Sequence, residues 1–339
     1  MSALRPFRLL SPRLVYVSRR TYASRTAIKI PAVAPSIPVI DHCPSPTCQC
    51  RPMPPDLDID REKDLNGSMP NYAEQLVICS GKSDWQSRIE DEEGADGELV
   101  RSVKGLMGQG GKLSDPYHNV MITNSSFPPT SSSTQESATS AYLLPSFTYI
   151  PALPTAPTSV EAFLKAFALP SGLHQAHKIL PIEQQNTLKR QPELQRSFVD
   201  ARKVNEILIL ICGHGGRDSR CGVLGPLLRD EFEEKLQRQG VALLHDALLA
   251  PDTSDARTSV PAARVGLISH IGGHRWAGNV IIYIPPSFSS NILAGKGIWY
   301  GRVGPQHVEG IVAETVVKGQ VIKELFRGAI GQGGETVRL

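Results

Sequence analysis

The chain has 339 residues, a formal net charge of +3, 40% hydrophobic residues and six cysteines. This apolar content supports a folded core, and six cysteines are too few for a disulfide framework in a chain of this length. The small net charge gives no case for nucleic-acid binding. The longest uncharged stretch, 137–160, is broken by four prolines, so no segment predicts a membrane span of roughly 20 apolar residues.

The N-terminal segment is basic. Residues 1–40 carry seven basic side chains before the first acidic one, Asp41. Arginine mixed with Ser, Leu, Val and Tyr, without acids, is typical of a mitochondrial transit peptide. The sequence RTYAS at 20–24 resembles a matrix processing site, so we expect cleavage between Tyr22 and Ala23. Cleavage removes five arginines and changes the net charge from +3 to −2. The alternative, a disordered basic tail, gives no reason for the absence of acids.

The first half of the chain contains few regular patterns. Apolar runs at 72–79 and 119–123 predict two buried strands. Residues 124–140 are rich in Ser, Thr and Pro and predict a loop. The sequence TSVE at 158–161 matches a capping box that precedes apolar residues at helical spacing, so a helix is predicted to begin near Ser159.

The second half is more regular. Apolar runs predict strands at 207–211, 264–269, 279–284 and 298–303. Pro226 and Pro305 each predict the first turn of a helix, and Gly240 predicts the end of the first of these helices. The order strand, helix, strand, strand, strand, helix suits a thioredoxin-like sheet with helices packed against it.

The two halves also echo each other in sequence. LVICSG at 76–81 parallels ILICGH at 209–214, and NVMI at 119–122 parallels NVII at 279–282. These matches suggest an ancient duplication, although buried strands can resemble one another by composition alone. The fold class predicted is α/β with two thioredoxin-like halves. The predicted divisions are a transit peptide and disordered start at 1–40, a degenerate thioredoxin-like domain at 41–155, a helical connector at 156–204 and a site-bearing domain at 205–330.

Two Gly-rich segments of the second half carry candidate chemistry. Cys212 and Cys221 flank a loop between a predicted strand and helix, and His270 and His274 flank a loop between two predicted strands. In a thioredoxin-like topology both loops lie at the same end of the sheet, so two thiols and two imidazoles converge. Four N and S ligands suit zinc or an iron–sulfur cluster. The spacing within each pair is not typical of a structural zinc site.

Other readings of these residues stay open. Each of the four residues alone could be an inert buried thiol or an ordinary loop histidine. Only the four together favour a metal site. Cys212 and His214 match the C-x-H pattern of the first loop of a Rieske centre. The second loop lacks this pattern, because Cys221 is followed by Gly222 and Val223, so His214 is predicted not to be a ligand. A cluster-free thiol–disulfide oxidoreductase would use Cys212 and Cys221, although it lacks the C-x-x-C motif. A zinc-stabilised interaction domain is a third possibility.

A second group of thiols lies near the N-terminus. Cys43, Cys48 and Cys50 form C-x4-C-x-C in a Pro-rich segment. They could bind a metal with His42 or Cys79 as a fourth ligand, form a disulfide or act as a thiol relay. Reduced thiols without a function are an equally good interpretation.

Four segments of the chain resemble the sucrase/ferredoxin-like family of thioredoxin-like ferredoxins: CGHGGRDSRCGVLGPLL, SHIGGHRWAGNVIIYIP, PNYAEQLVICSGKSDW and GIWYGRVGPQHVEGIV. The resemblance covers roughly residues 40–330. It implies that the C-terminal half is a thioredoxin-like ferredoxin domain in which Cys212, Cys221, His270 and His274 bind a 2Fe-2S cluster. It also implies electron transfer or thiol redox homeostasis with an unidentified redox partner protein. The expected location is mitochondrial, in the matrix or the intermembrane space.

Overall fold

The computed structural model describes residues 37–130, 137–247 and 260–339, whose strands form a mixed sheet of eleven strands and a separate sheet of two. The predicted transit peptide and its cleavage site lie outside these residues, except for the last few residues before Asp41. The strands and the helices packed on them form a mixed α/β fold, as the sequence pattern predicts. Within the described residues, no helix combines the length and the apolar content that a bilayer crossing requires.

The elements before residue 205 are, in chain order, β1 (Val39–Ile40), β2 (Glu74–Cys79), α1 (Ala95–Met107), β3 (Val120–Ser125), β4 (Ala138–Leu144), β5 (Thr148–Pro154), α2 (Pro157–Phe163), α3 (Ile182–Thr187) and β6 (Arg202–Lys203). The strands predicted at 72–79 and 119–123 are confirmed as β2 and β3. Strands β4 and β5 were not predicted, because Ser, Thr and Pro interrupt their apolar pattern. Helix α2 begins at Pro157, and no side chain caps it, so the predicted capping box at 158–161 is absent.

The remaining elements are β7 (Ile207–Cys212), α4 (Ser219–Arg238), β8 (Ala263–Ile268), β9 (Val280–Ile284), β10 (Lys296–Tyr300), α5 (Pro305–Ile311), β11 (Val321–Ile322), β12 (Phe326–Gly331) and β13 (Thr336–Val337). The four predicted strands and the helix at Pro305 are confirmed. Helix α4 begins seven residues before Pro226, because the Asp218 carboxylate caps it and accepts the Arg220 N–H at 3.1 Å. As a result, Cys221 lies in the first turn of a helix.

The two halves of the sheet have the same strand order and directions. The order is β3-β2-β4-β5 in the first half and β8-β7-β9-β10 in the second, with the first two strands parallel and the others antiparallel. In each half the closing helix starts with proline and continues as a π-helix, at 164–168 and 312–317, and π-helices are rare. Because β3 corresponds to β8, the echo between 119–122 and 279–282 pairs non-equivalent strands and is wrong.

The apolar core has two parts. Leu76 and Ile78 pack with α1 and α2 in one cluster, whereas Val77 and Cys79 belong to a larger cluster that contains the second half of the sheet. Alternate residues of β2 therefore face opposite sides of the sheet. The segment before β2 lies against the second half, where β1 pairs with β11 and Arg51 forms an ion pair with Glu231.

Candidate metal centre at the carboxyl ends of β7 and β8

The two Gly-rich loops meet at one edge of the sheet. Strands β7 and β8 are parallel neighbours, and Cys212 at the end of β7 lies opposite Ile268 at the end of β8. His270 follows two residues later. The loops that leave these strands therefore start side by side, as the predicted topology requires.

Glycines bring Cys221 to Cys212 across eight intervening residues. A Cβ on Gly222 would lie 2.6 Å from the Cα of Gly215, and a Cβ on Gly225 would lie 2.6 Å from the Cα of Gly213. Only residues without Cβ atoms allow α4 to pack this closely on the loop. The packing buries both thiols and places them close enough to shift each other's pKa.

The histidines lie on the other side of this thiol pair. The His270 side chain lies close enough to Cys212 to lower the pKa of its thiol. The rings of His270 and His274 have centroids 5.4 Å apart, and His274 is exposed whereas His270 is half-buried. The structure thus places Cys221 and His270 in the neighbourhood of Cys212, with His274 next to His270.

The surroundings favour a thiolate at Cys212. The neighbouring Cys221 thiol lowers the pKa of Cys212 well below its usual value, and His270 and the backbone of His214 act in the same direction, although burial opposes them. The pKa of Cys221 is raised, because its neighbour Cys212 and burial both oppose a second thiolate. The pair therefore holds one negative charge more readily than two.

His214 occupies both of its ring nitrogens. Its Nδ1 accepts the backbone N–H of His270 at 3.0 Å, and its Nε2 lies 2.9 Å from the carbonyl oxygen of Gln86 and 3.2 Å from that of Trp85. This pattern fits a neutral ring with the proton on Nε2. The three hydrogen bonds give His214 a role that joins three loops, and the absence of a ligand role stays a prediction.

The first half of the chain forms a wall of the site. The Asp84 carboxylate accepts the Gly216 N–H at 3.1 Å, and the Trp85 ring meets the His214 ring edge-on at 5.8 Å. Beside this wall, a cavity of about 600 Å³ reaches His214 and His270. Sequence reasoning did not include Asp84 and Trp85 in the site, because their contacts join residues about 130 positions apart.

The donor set fits a 2Fe-2S cluster in chemistry. Two thiols and two imidazoles are the donors of a Rieske-type 2Fe-2S centre, and His270 Nδ1 is buried without a hydrogen-bond partner among the described residues. The four side chains are not spread into a coordination sphere. In the described ranges, no three His, Cys, Asp or Glu side chains are arranged closely enough to hold a metal ion.

The N-terminal thiols lie elsewhere, on the helices of the second half. The Cys43 thiol donates to the carbonyl oxygen of His307, and the Cys48 thiol donates to a Glu309 carboxylate oxygen at 3.1 Å. All six cysteines are free thiols. Burial raises the pKa of Cys43 to about 12, so this thiol is unreactive at neutral pH. His42 instead pairs with Glu324.

Comparison with known proteins gives one family. The family model described as "Sucrase/ferredoxin-like" matches residues 65–328. "Altered inheritance of mitochondria protein 32" of Debaryomyces hansenii is 32% identical over 303 residues, which cover 86% of this chain and 96% of the relative. The protein of the same name from Meyerozyma guilliermondii is 30% identical over 309 residues, 86% of this chain and 95% of the relative.

A shorter match is found with "Actin patches distal protein 1" of Saccharomyces cerevisiae. It is 38% identical over 109 residues, which cover 32% of this chain and 29% of that protein. No solved structure matches the chain.

Proposed function

Because the chain belongs to the sucrase/ferredoxin-like family, we propose that it is a mitochondrial 2Fe-2S redox protein that transfers single electrons or serves thiol redox homeostasis. The ligands in this proposal are Cys212, Cys221, His270 and His274. The observation that supports it is that Cys221 and His270 lie in the neighbourhood of Cys212 at one edge of the sheet. There, His270 Nδ1 is buried without a hydrogen-bond partner among the described residues.

The two sides of the centre have different access to solvent. Cys212 and Cys221 are 1% and 0% exposed, whereas His274 is exposed. When bound, the cluster would supply one-electron reduction and oxidation. A redox partner protein can contact the His274 side directly, while the cysteine side is closed by α4. The thiols hold the centre, and the histidines face the partner.

We propose that each half is a thioredoxin-like unit and that the two arose by duplication. The repeated strand order and the repeated helix-to-π transition support this proposal. In the first half, Cys79 at the end of β2 corresponds to Cys212 at the end of β7. Arg88 stands nine residues later, where the second half has Cys221, so the first half would have lost its ligands.

One observation favours a second function, a dithiol without a cluster. The thiols of Cys212 and Cys221 lie close enough to shift each other's pKa, so a disulfide between them is chemically reasonable. Burial of both residues opposes this function, because thiol–disulfide exchange requires a partner thiolate to reach a sulfur atom. The cluster proposal uses the same burial, since it shields the cysteine ligands from solvent.

The mitochondrial part of the proposal rests on the names of the relatives and on the basic, acid-free N-terminal segment. Mass spectrometry of the protein from isolated mitochondria should show an N-terminus near Ala23. A mature protein that still begins at Met1 or Ser2 would refute cleavage of the transit peptide.

The cluster is tested by anaerobic purification followed by iron, sulfide and zinc analysis and a visible spectrum. We expect two iron and two sulfide per chain. Cys212→Ala and Cys221→Ala should abolish both, because a methyl group cannot replace a thiolate ligand. Cys79→Ala is the matched control, a buried strand-end cysteine in the other half, and it should keep the cluster. Zinc without visible absorption, or a Cys212–Cys221 disulfide in metal-free protein, would refute the proposal.

A further inference from the structure

A buried guanidinium lies directly beneath the loop that carries His270 and His274. Arg327 belongs to β12 and is 1% exposed. Its Cζ lies 5.1 Å from the centre of the Trp276 ring and 5.4 Å from that of the Trp299 ring. Burial lowers the pKa of Arg327 only to about 10, so the group is charged at neutral pH.

The hydrogen-bond partners of this cation are all neutral. Its Nε donates to Ser68 Oγ at 3.1 Å, one Nη donates to Ser68 O at 2.8 Å, and the other donates to Gly272 O and Asn279 Oδ1. Across the described parts of the chain, no Asp or Glu forms an ion pair with it. Burial without an ion-paired carboxylate opposes this cation, and among the described residues the Cys212 thiolate is the one charge that acts against this effect by raising the pKa of Arg327. A further nearby anion would therefore be stabilising.

The guanidinium also fixes the shape of the histidine loop. It binds Gly272 O at 3.2 Å and Asn279 Oδ1 at 2.7 Å, and the Asn279 amide donates to Gly273 O at 2.9 Å. Gly272 and Gly273 both have positive φ, at 84° and 81°. A Cβ on Gly273 would lie 2.8 Å from an Arg327 nitrogen, so the loop is closely packed on the guanidinium.

We propose that Arg327 is a positioning residue for the histidine ligands and the built-in counter-charge of the centre. This inference rests on the proposed function. Reduction of a cluster adds one electron and therefore one negative charge, and a fixed cation nearby lowers the energy of that state. The electron comes from the redox partner protein, and Arg327 itself exchanges neither a proton nor an electron.

Two substitutions remove the positive charge in different ways. Arg327→Gln deletes it. Asn279→Asp neutralises it with a carboxylate on the same Arg327 nitrogen, and it also removes the amide that donates to Gly273 O. Each should make the reduction potential more negative, with the equilibrium constant for reduction by a given donor falling about tenfold. Arg327→Lys keeps the charge but loses the planar fork of donors, so it should keep the potential and release iron faster to a chelator.

The experiment is a spectroelectrochemical titration of anaerobically purified full-length protein at one pH and one ionic strength. Arg264→Gln is the matched control, because Arg264 is a buried arginine that already pairs with Glu206 at 3.2 Å. It should leave the potential unchanged even if it lowers stability.

The outcomes separate this inference from the function on which it rests. A wild-type protein without iron refutes the function and the inference together. A wild-type protein with a cluster, and an unchanged potential in Arg327→Gln or Asn279→Asp, refutes the inference alone. If Arg327→Gln does not fold, Asn279→Asp decides. If both charge variants fold by circular dichroism but hold no iron, the positioning role is supported, and wild-type iron release in Arg327→Lys would refute that role.

Discussion

Replacing Gly225 by alanine tests whether glycine contacts between α4 and the Cys212 loop build the centre. The added Cβ would lie 2.6 Å from the Cα of Gly213 and 2.9 Å from the carbonyl oxygen of Cys212. Ordinary Cβ contacts begin at 3.4 Å, so the helix and the loop must separate by about 0.8 Å. Because the contacted atoms are backbone atoms, no side-chain rotation can relieve the overlap.

Two effects of opposite sign set the magnitude. Alanine in a helix interior is favoured over glycine by about 1 kcal/mol. Overpacking against rigid surroundings costs about 1–3 kcal/mol. We therefore expect Gly225→Ala to lower the free energy of unfolding by about 1 kcal/mol. The control is Gly105→Ala in α1, where the new Cβ meets nothing within 4 Å, and it should raise the free energy of unfolding by up to about 1 kcal/mol.

Urea denaturation of the metal-free proteins measures the stability difference. Iron and sulfide analysis after anaerobic reconstitution measures the effect on the centre. We expect Gly225→Ala to bind less iron, because separation of α4 from the loop increases the distance between Cys221 and Cys212. Gly105→Ala should bind as much iron as the wild type. A Gly225→Ala protein with wild-type stability and wild-type iron content would refute the reasoning.

Three further changes have defined outcomes. Burial raises the pKa of Glu74 from 4.5 to about 7, so the stability that this group provides is present below pH 4.5 and lost as the pH rises through 7. In urea denaturation, the free energy of unfolding of Glu74→Gln should therefore rise relative to that of wild type by up to about 3 kcal/mol between pH 5 and pH 8. A difference between the two proteins that does not change with pH would contradict this. Lys235→Met should lower the free energy of unfolding by about 3 kcal/mol, because it removes one of the cations paired with the fully buried Glu231. Lys235 also donates to the carbonyl oxygen of Gln49, so limited proteolysis should detect release of the segment near Gln49. His214→Ala should keep its iron in a reconstitution assay while its free energy of unfolding falls by about 2 kcal/mol, and loss of iron would make His214 a ligand.

The sequence was sufficient for the strands that lead to the site. The run at Ile207–Cys212 is continuously apolar and contains three β-branched isoleucines, so a buried strand that ends at a cysteine could be predicted without tertiary information. The start of α4 could not, because two signals competed. Pro226 is typical of a first helical turn, but the Asp218 side chain caps the helix earlier, and the proline is tolerated inside it.

The surroundings of Arg327 could not be predicted from the sequence for a different reason. One charge inside the apolar run LFRGAI indicates a buried cation, but the pattern does not say what surrounds it. Its partners come from Ser68, Gly272 and Asn279, which are separated from it by 48 or more positions. Contacts of this kind depend on how strands from distant parts of the chain pair, and no local propensity encodes them.

The joint between the halves explains how the first half contributes to the candidate site. Strands β3 and β8 are antiparallel and pair only at Ser125 and Ile268, the last residues of each strand. Two antiparallel strands that overlap only at their carboxyl ends bring the carboxyl-end loops of both halves to the junction. The loop after β2 thus reaches the loop after β7, where Asp84 binds the Gly216 N–H. Loss of ligands from the first half would therefore leave its loop under selection as a wall of the centre.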